Sequence, residues 1–312
     1  MSAADSSFAK GWYMITWSAD LAPGLVVPLR YFGREFVLYR GESGTPVMLD
    51  AHCPHLGAHL GHGGCVQGDD IVCPFHAWRF ASDGRCVDVP YASRVPRKAA
   101  VRGYPVSEHS GMILAYFDQQ GVSPGYEVPG IEELDDPRWT PLERAQITIA
   151  TQPREVIENV ADIAHFRPVH HQQIDEFEMI IDGPRATQRT VGRGSDLGGR
   201  PIPVETVATY HGPAVQFTRL VWAYDMVLIN AHVPIDEEQL ILRFGVSLRL
   251  PEGVKADREV VLQHVAAARD GYFQDVAIWE HKRWRDRPTL VDGDGPIGEI
   301  RKWYRSFFAN AS

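Results

Sequence analysis

Two short segments constrain this chain more than anything else in it: Cys53-Pro54-His55 and, after seventeen further residues, Cys73-Pro74-Phe75-His76. Two thiolates and two imidazoles can hold a zinc ion, or a [2Fe–2S] cluster in which one iron takes both sulfurs and the other both nitrogens. Zinc sites usually draw their ligands in pairs of one type. Here each segment supplies one Cys and one His, which suits a dinuclear centre touched by both loops. Pro54 and Pro74 stiffen the loops, and Gly57 lets backbone N–H groups come close to the sulfurs.

The rest of the cysteine usage agrees. All four cysteines, Cys53, Cys65, Cys73 and Cys86, fall in one short window, and the remaining two thirds of the chain has none. A disulfide-stapled secreted protein is not arranged that way, so the expected compartment is reducing and cytoplasmic. Cys65 and Cys86 lie outside the pattern and read as small buried side chains. A length of 312 residues allows about two domains. Forty acidic against thirty-one basic residues give a net charge of −9, which argues against binding nucleic acid through its phosphates. Met1–Gly11 has no signal-peptide core, and runs such as Met112–Phe117 are too short to span a bilayer.

Between Leu25 and Asp118 short apolar and β-branched runs alternate with turn residues: 25–32, 36–40, 47–50, 71–72, 79–81, 86–89 and 112–117, with Ser82-Asp83-Gly84 as a hairpin turn. Prolines, glycines and acids from Ser123 to Pro141 mark a linker. The expected domains are therefore 1–140, a small antiparallel β domain, and 141–312. The second should open with a strand over 144–152 and a helix over 153–164. An antiparallel meander over 204–210, 214–222, 226–233 and 240–250 should follow, closed by one long helix from Asp257 to about Trp284. A cavity lies between such a meander and its helix. Tyr210, Phe217, Trp222 and Asn230 face into it or away from it according to a register that the alternation does not fix.

The paired segments resemble the Rieske signature, Cys-x-His followed by Cys-x-x-His, and the resemblance runs from about Trp12 to Asp118. It implies that Cys53, His55, Cys73 and His76 hold a [2Fe–2S] cluster. Rieske proteins of respiratory complexes carry two further loop cysteines that form a disulfide. Ala58 and Phe75 stand at those positions, which implies the lower-potential oxygenase or ferredoxin type. His52, His59 and His62 crowd the same loop but do not match the ligand spacing.

A ferredoxin would need only the first domain. In the second, Glu158 to His170 places His165 and His170 five residues apart, where Pro168 is expected to end the helix and turn His170 back toward His165. Asp162 lies one turn before His165 and is placed to orient its ring. Two histidines and one carboxylate with open positions define a mononuclear Fe(II) site. Asp275, among the apolar residues of the long helix, is the candidate carboxylate, with Asp270 and Glu280 as competitors. His171 reads as structural.

Downstream of a Rieske motif, Asn159-x-x-Asp162-x-x-His165-Phe166-x-x-x-His170 is similar to the iron-binding segment of Rieske non-haem iron oxygenases. Val27 to Arg34, Asp50 to Gly61 and Asp275 to Glu280 look most like the 3-ketosteroid 9α-hydroxylase oxygenase group. The resemblance implies an α+β fold with an N-terminal antiparallel Rieske domain and a helix-grip (START-like) catalytic domain, assembled as a homotrimer. It also implies a terminal monooxygenase that uses O2 to hydroxylate a small hydrophobic, steroid-like or polycyclic substrate. Electrons would come from a separate reductase, with or without a ferredoxin, and from NAD(P)H only through it, because the chain has no nucleotide fingerprint. They would cross from one subunit to the next through Asp162, bridging His165 to a cluster histidine, His76. Oxidative demethylation and desaturation begin with the same C–H attack. A non-enzymatic iron–sulfur or zinc protein with a lipid-binding domain is the alternative outside catalysis, and predicts no mononuclear iron.

Overall fold

The computed structural model describes residues 8–251 and 257–308. It divides into two compact units, Tyr13–Pro124 and Gly125 onward, the latter together with the start of the chain through Trp12. The division falls earlier than the linker composition suggests. The proline-rich segment is not free: Tyr126 packs by Phe307, its carbonyl accepts the Trp12 indole N–H at 2.8 Å, and Thr140 exchanges hydrogen bonds with Ser247 and Leu248.

The smaller unit contains three antiparallel sheets. Gly11–Trp17, Met112–Phe117 and Val106–His109 form one, and Val26–Tyr31, Arg34–Arg40, Pro46–Asp50 and Gly103–Tyr104 form a second. Cys65–Gln67, Asp70–Val72, Arg79–Phe80 and Cys86–Asp88 form the third. All six side chains of Met112–Phe117 are buried. The first hairpin turns on Phe32 and Gly33, both with positive φ (53° and 66°), as the tight primed turns of β-hairpins require. A non-glycine residue pays about 1–2 kcal/mol for that conformation. Phe32 offsets it by burial and by stacking on Phe117 at 3.9 Å, worth a comparable amount.

The larger unit is built on a seven-stranded antiparallel sheet. Its spatial order is Glu143–Ile149, Leu240–Leu248, Asp225–Pro234, Val215–Val221, Pro201–His211, Arg185–Ser195, Gln173–Asp182. The last two form a long hairpin that the sequence reading did not anticipate. The register resolves the meander: Gln216, Thr218 and Leu220 alternate with Val215, Phe217 and Arg219, and the first set joins Tyr210, Trp222 and Asn230 on the cavity face while Phe217 points away.

Among the described residues, five α-helices pack with this sheet: α1 Pro153–Glu158, α2 Phe166–His170, α3 Arg258–Phe273, α4 Val276–Trp279 and α5 Ile297–Arg305. The expected single helix from Asp257 to Trp284 is thus two, α3 and α4. The break follows Gly271, where the Gln274 N–H shares itself between the Asp270 and Gly271 carbonyls, a tightening typical of helix ends. Val261, Ala268, Tyr272 and Phe273 of α3 pack on Met226, Leu228, Phe244 and Val246 of the sheet. Helix α5 packs Ile300 and Trp303 with Ile157 and Val160. No helix among the described residues is long and apolar enough to cross a membrane.

Candidate metal centres

In the smaller unit, Cys53 and Cys73 begin two copies of one backbone turn. The Gly57 and Ala77 N–H groups donate to the Cys53 and Cys73 carbonyls at 2.9 and 3.1 Å, and the cysteine N–H groups donate to Ala58 and Trp78 at 2.9 and 2.8 Å. Both turns pass through positive φ at the fourth residue after the cysteine, Gly57 (77°) and Ala77 (57°). The result is a pair of buried sulfurs flanked by His55 and His76, whose ring centroids are 4.7 Å apart. His55 stacks on Trp78 at 4.6 Å, and the Trp78 indole donates to the Tyr91 hydroxyl at 2.8 Å.

These donors are not satisfied by the protein. The buried His55 Nδ1 has no hydrogen-bond partner among the described residues. Burial first, and the neighbouring Cys73 sulfur with it, push the Cys53 thiol up to about 11 against a hydrogen bond from the His55 backbone. Two buried sulfurs side by side become thiolates only when positive charge is placed between them. A cluster with two sulfur and two nitrogen ligands fits that need.

The surrounding histidines are employed otherwise. His52 directs Nε2 to Glu35 at 2.8 Å and Nδ1 to the Gly57 carbonyl at 3.1 Å, and His59 Nδ1 accepts the Gly61 N–H at 3.0 Å. Cys86 is buried with its thiol toward the Asp88 carbonyl. Cys65 is exposed, contrary to expectation, because it stands on the outer strand of the small sheet.

In the larger unit, α1 runs into a 3-10 turn, Asn159–Ala161, which ends where Asp162 becomes extended. A new helix, α2, starts after His165 and stops at His171, whose φ is 54°. Pro168 therefore lies inside the first turn of α2, where its missing N–H costs nothing, rather than ending a helix as expected. His165 caps this five-residue helix and His170 ends it, which brings their rings to 5.0 Å.

Asp275, 3% exposed, sits in the break between α3 and α4. Metal-ligating atoms of His165, His170 and Asp275 all lie within 4.8 Å of one another. Both imidazoles are oriented through Nδ1: His165 toward the Asp162 carbonyl at 2.7 Å and His170 toward the Gln274 side-chain oxygen at 3.1 Å. That arrangement leaves each Nε2 as the ligating atom. Asp162 thus holds the ring mainly through its backbone, with its carboxylate 3.8 Å from the same Nδ1. The Asp162 carboxylate accepts from the His165 backbone N–H at 3.3 Å.

Asn159 ties the group together, its amide donating to Asp275 at 3.0 Å and standing 3.3 Å from His165 Nε2. Burial would lower the basicity of His170, but the hydrogen bond and negative charge of Asp275, together with the hydrogen bond to Gln274, outweigh it and raise it. A carboxylate holding a proton on the facing imidazole is a site where a dication can replace that proton. Asp270 lines the cavity wall, and Glu280 accepts the Ala150 N–H at 3.1 Å. Neither joins the converging set.

The three residues stand on the wall of a cavity of about 420 Å³. Its apolar lining includes Val156, Phe166, Leu228 and Trp279, and the sheet side adds polar groups among its apolar ones. Gln216 accepts from Asn230 at 3.0 Å and from Thr218 at 3.4 Å. The buried Gln188 Nε2 and Asn230 Oδ1 have no partner among the described residues. The sequence reading missed Gln274, Gln188 and Gln216. Gln216 and Thr218 at alternate positions of a mostly apolar strand were the available signal for Gln216, whereas Gln188 and Gln274 gave none.

Residues 115–308 match the 3-ketosteroid 9α-hydroxylase C-terminal domain, and residues 11–105 match the Rieske [2Fe–2S] domain. A probable 3-ketosteroid-9-alpha-monooxygenase oxygenase component of Rhodococcus rhodochrous is 36% identical over 97% of this chain and 80% of its own length. Cholesterol 7-desaturase of Xenopus laevis is 30% identical over 98% of this chain and 73% of its own. Among solved structures, dicamba monooxygenase bound to dicamba superposes with a TM-score of 0.77 at 18% identity, covering 97% of this chain and 98% of that one, so it shares the fold. The chain belongs to the 3-ketosteroid 9α-hydroxylase oxygenase family of Rieske non-haem iron monooxygenases, which join a [2Fe–2S] cluster to a non-haem iron and use O2 with electrons from a separate reductase.

Proposed function

We propose that this chain is the terminal oxygenase component that hydroxylates a steroid-like polycyclic substrate. Cys53, His55, Cys73 and His76 hold the cluster, and His165, His170 and Asp275 hold the iron. The observation that carries the reading is the convergence of two Nδ1-anchored histidines and a buried carboxylate on the wall of a cavity of ligand size. When bound, the metals supply electrons and O2 activation that no side chain provides.

The protein's own groups then choose and place the substrate. Leu228, Val156 and Trp279 offer apolar walls to a rigid ring system, and filling them displaces water from the site. The unpaired Gln188 amide donates to a ketone oxygen, and Asn230 Oδ1 accepts from a hydroxyl, so an oxygenated ring is favoured over a bare hydrocarbon. Asp162, its side chain 38% exposed, extends the His165 hydrogen-bond network toward a neighbouring copy's cluster histidine within a homotrimer. Four free cysteines are in keeping with work in the reducing cytoplasm.

The test is turnover with a surrogate reductase and a panel of 3-ketosteroids, bile-acid-like steroids and methoxyaromatics. Ring-hydroxylated product with O2 consumed in step is the expected result, and consumption only with methoxyaromatics overturns the substrate assignment. A second reading, desaturation, is favoured by the similarity to cholesterol 7-desaturase; a product two hydrogens lighter, without added oxygen, selects it.

A further inference from the structure

A second cavity, of about 440 Å³, lies in the larger unit among α1, α5 and the irregular segment after α4. Aromatic side chains, Trp284, Tyr304 and Phe308, form much of its wall, and four arginines face it against only two carboxylates, Glu158 and Asp286. Both carboxylates are engaged. Glu158 pairs with Arg301 and lies 3.4 Å from Lys282, and Asp286 accepts the Trp284 indole N–H at 2.8 Å.

The guanidiniums of Arg154 and Arg301 both lie over the Trp284 ring, at 4.6 and 3.9 Å from its centroid. The buried Arg154 Nε has no hydrogen-bond partner among the described residues. Arg301 is committed to Glu158 and to the Arg285 carbonyl at 2.8 Å, which leaves three cations of the described lining, Arg154, Arg287 and Arg305, against the single carboxylate Asp286. In a chain of net charge −9, such a positive, aromatic-walled cavity selects its occupant strongly. Planar guanidiniums pair with planar carboxylates through two parallel hydrogen bonds, and phenol and phenyl rings such as those of Tyr304 and Phe308 stack on flat apolar bodies.

We propose that this cavity is a second small-molecule site, distinct from the iron-bearing one, and that it takes an aromatic carboxylate. The test is calorimetric titration of the metal-loaded protein with 2-naphthoate, its neutral isostere 2-naphthamide, and inorganic phosphate, each repeated with a neutral steroid saturating the iron-bearing cavity. Naphthoate should bind under both conditions, with the amide and phosphate each weaker by about tenfold or more. The exposed pair Arg287→Met and Arg305→Met should weaken naphthoate binding by about tenfold or more while the cluster's visible absorption certifies the fold. No binding of naphthoate, equal binding of naphthamide or of phosphate, unchanged affinity in the double variant, or displacement by the steroid would each overturn the proposal. Should the double variant fail to fold, Phe308→Leu supplies the same comparison through loss of an aromatic wall of the cavity.

Discussion

The two metal-binding regions of this molecule reach rigidity by different means. Around Cys53 and Cys73 the backbone does the positioning, through two equivalent turns closed by main-chain hydrogen bonds. Around His165, His170 and Asp275 the main chain is broken into short helical pieces, and side-chain amides do the holding: Gln274 on His170, Asn159 on Asp275. Backbone-built sites tolerate side-chain changes beside them and suffer from changes in φ preference. Side-chain-built sites behave the other way round.

The largest separation of the two comes from removing a ligand of the mononuclear site alone. Asp275→Ala should lower the metal content from about three to about two irons per chain and abolish turnover, with the cluster's reduced EPR signal intact. Iron analysis and EPR on one sample check it, and full iron retention would remove Asp275 from the ligand set. Asp162→Ala should keep both metals and still stop coupled turnover; normal product formation would end its role between subunits.

Gln274→Ala removes an orienting group without touching a ligand. It should weaken iron binding by about 10–100-fold, read as the chelator concentration that strips the iron, with Gln274→Glu recovering most of the loss. In the cluster loops the equivalent test is conformational. Gly57→Ala meets no atom within 4 Å but sits at φ 77°, so it should cost about 1–2 kcal/mol, seen as a few degrees in Tm.

The smallest effect at neutral pH concerns acid stability. Burial pushes His232 and His211 of the large sheet down to about 4, so each folds neutral. An unfolded histidine takes a proton near 6.5, hence their stabilisation is full above that value and is lost as pH falls from 6.5 toward 4. His52 of the smaller unit is shifted the opposite way by its hydrogen bond to Glu35 and gives no acid lability. His232→Gln should leave Tm at pH 7.5 little changed and recover up to about 2 kcal/mol of the loss at pH 5; an unaltered pH slope would contradict this.

How much could be read in advance follows the same division. The two cysteine turns were legible because they are local, and their Cys, Pro, Gly and His requirements are written within a few consecutive residues. His165 and His170 were legible as a pair, but the reason for their approach was not: Pro168 opens a helix instead of closing one, which only the extended backbone at Asp162 reveals. The meander was visible in its alternation, whereas Gln173–Asp182 and Arg185–Ser195 are rich in charged residues at exposed positions, and so lacked the apolar signal of a strand. Helix periodicity carried α3 through into α4, since the break is made by hydrogen-bond sharing and not by a proline.

The separation of the ligands along the chain also bears on how the protein is made. His170 contacts Gln274 across 104 residues of sequence, and Asn159 contacts Asp275 across 116. At a synthesis rate of about 5–20 residues per second, the four proposed cluster ligands emerge from the ribosome within a few seconds of one another, while the two histidines wait several times longer for Asp275. Most of the seven-stranded sheet is translated in that interval. Cluster assembly can therefore begin on a nascent chain, whereas the mononuclear site becomes a chelator only after translation of the sheet is finished, which orders the two metals in time.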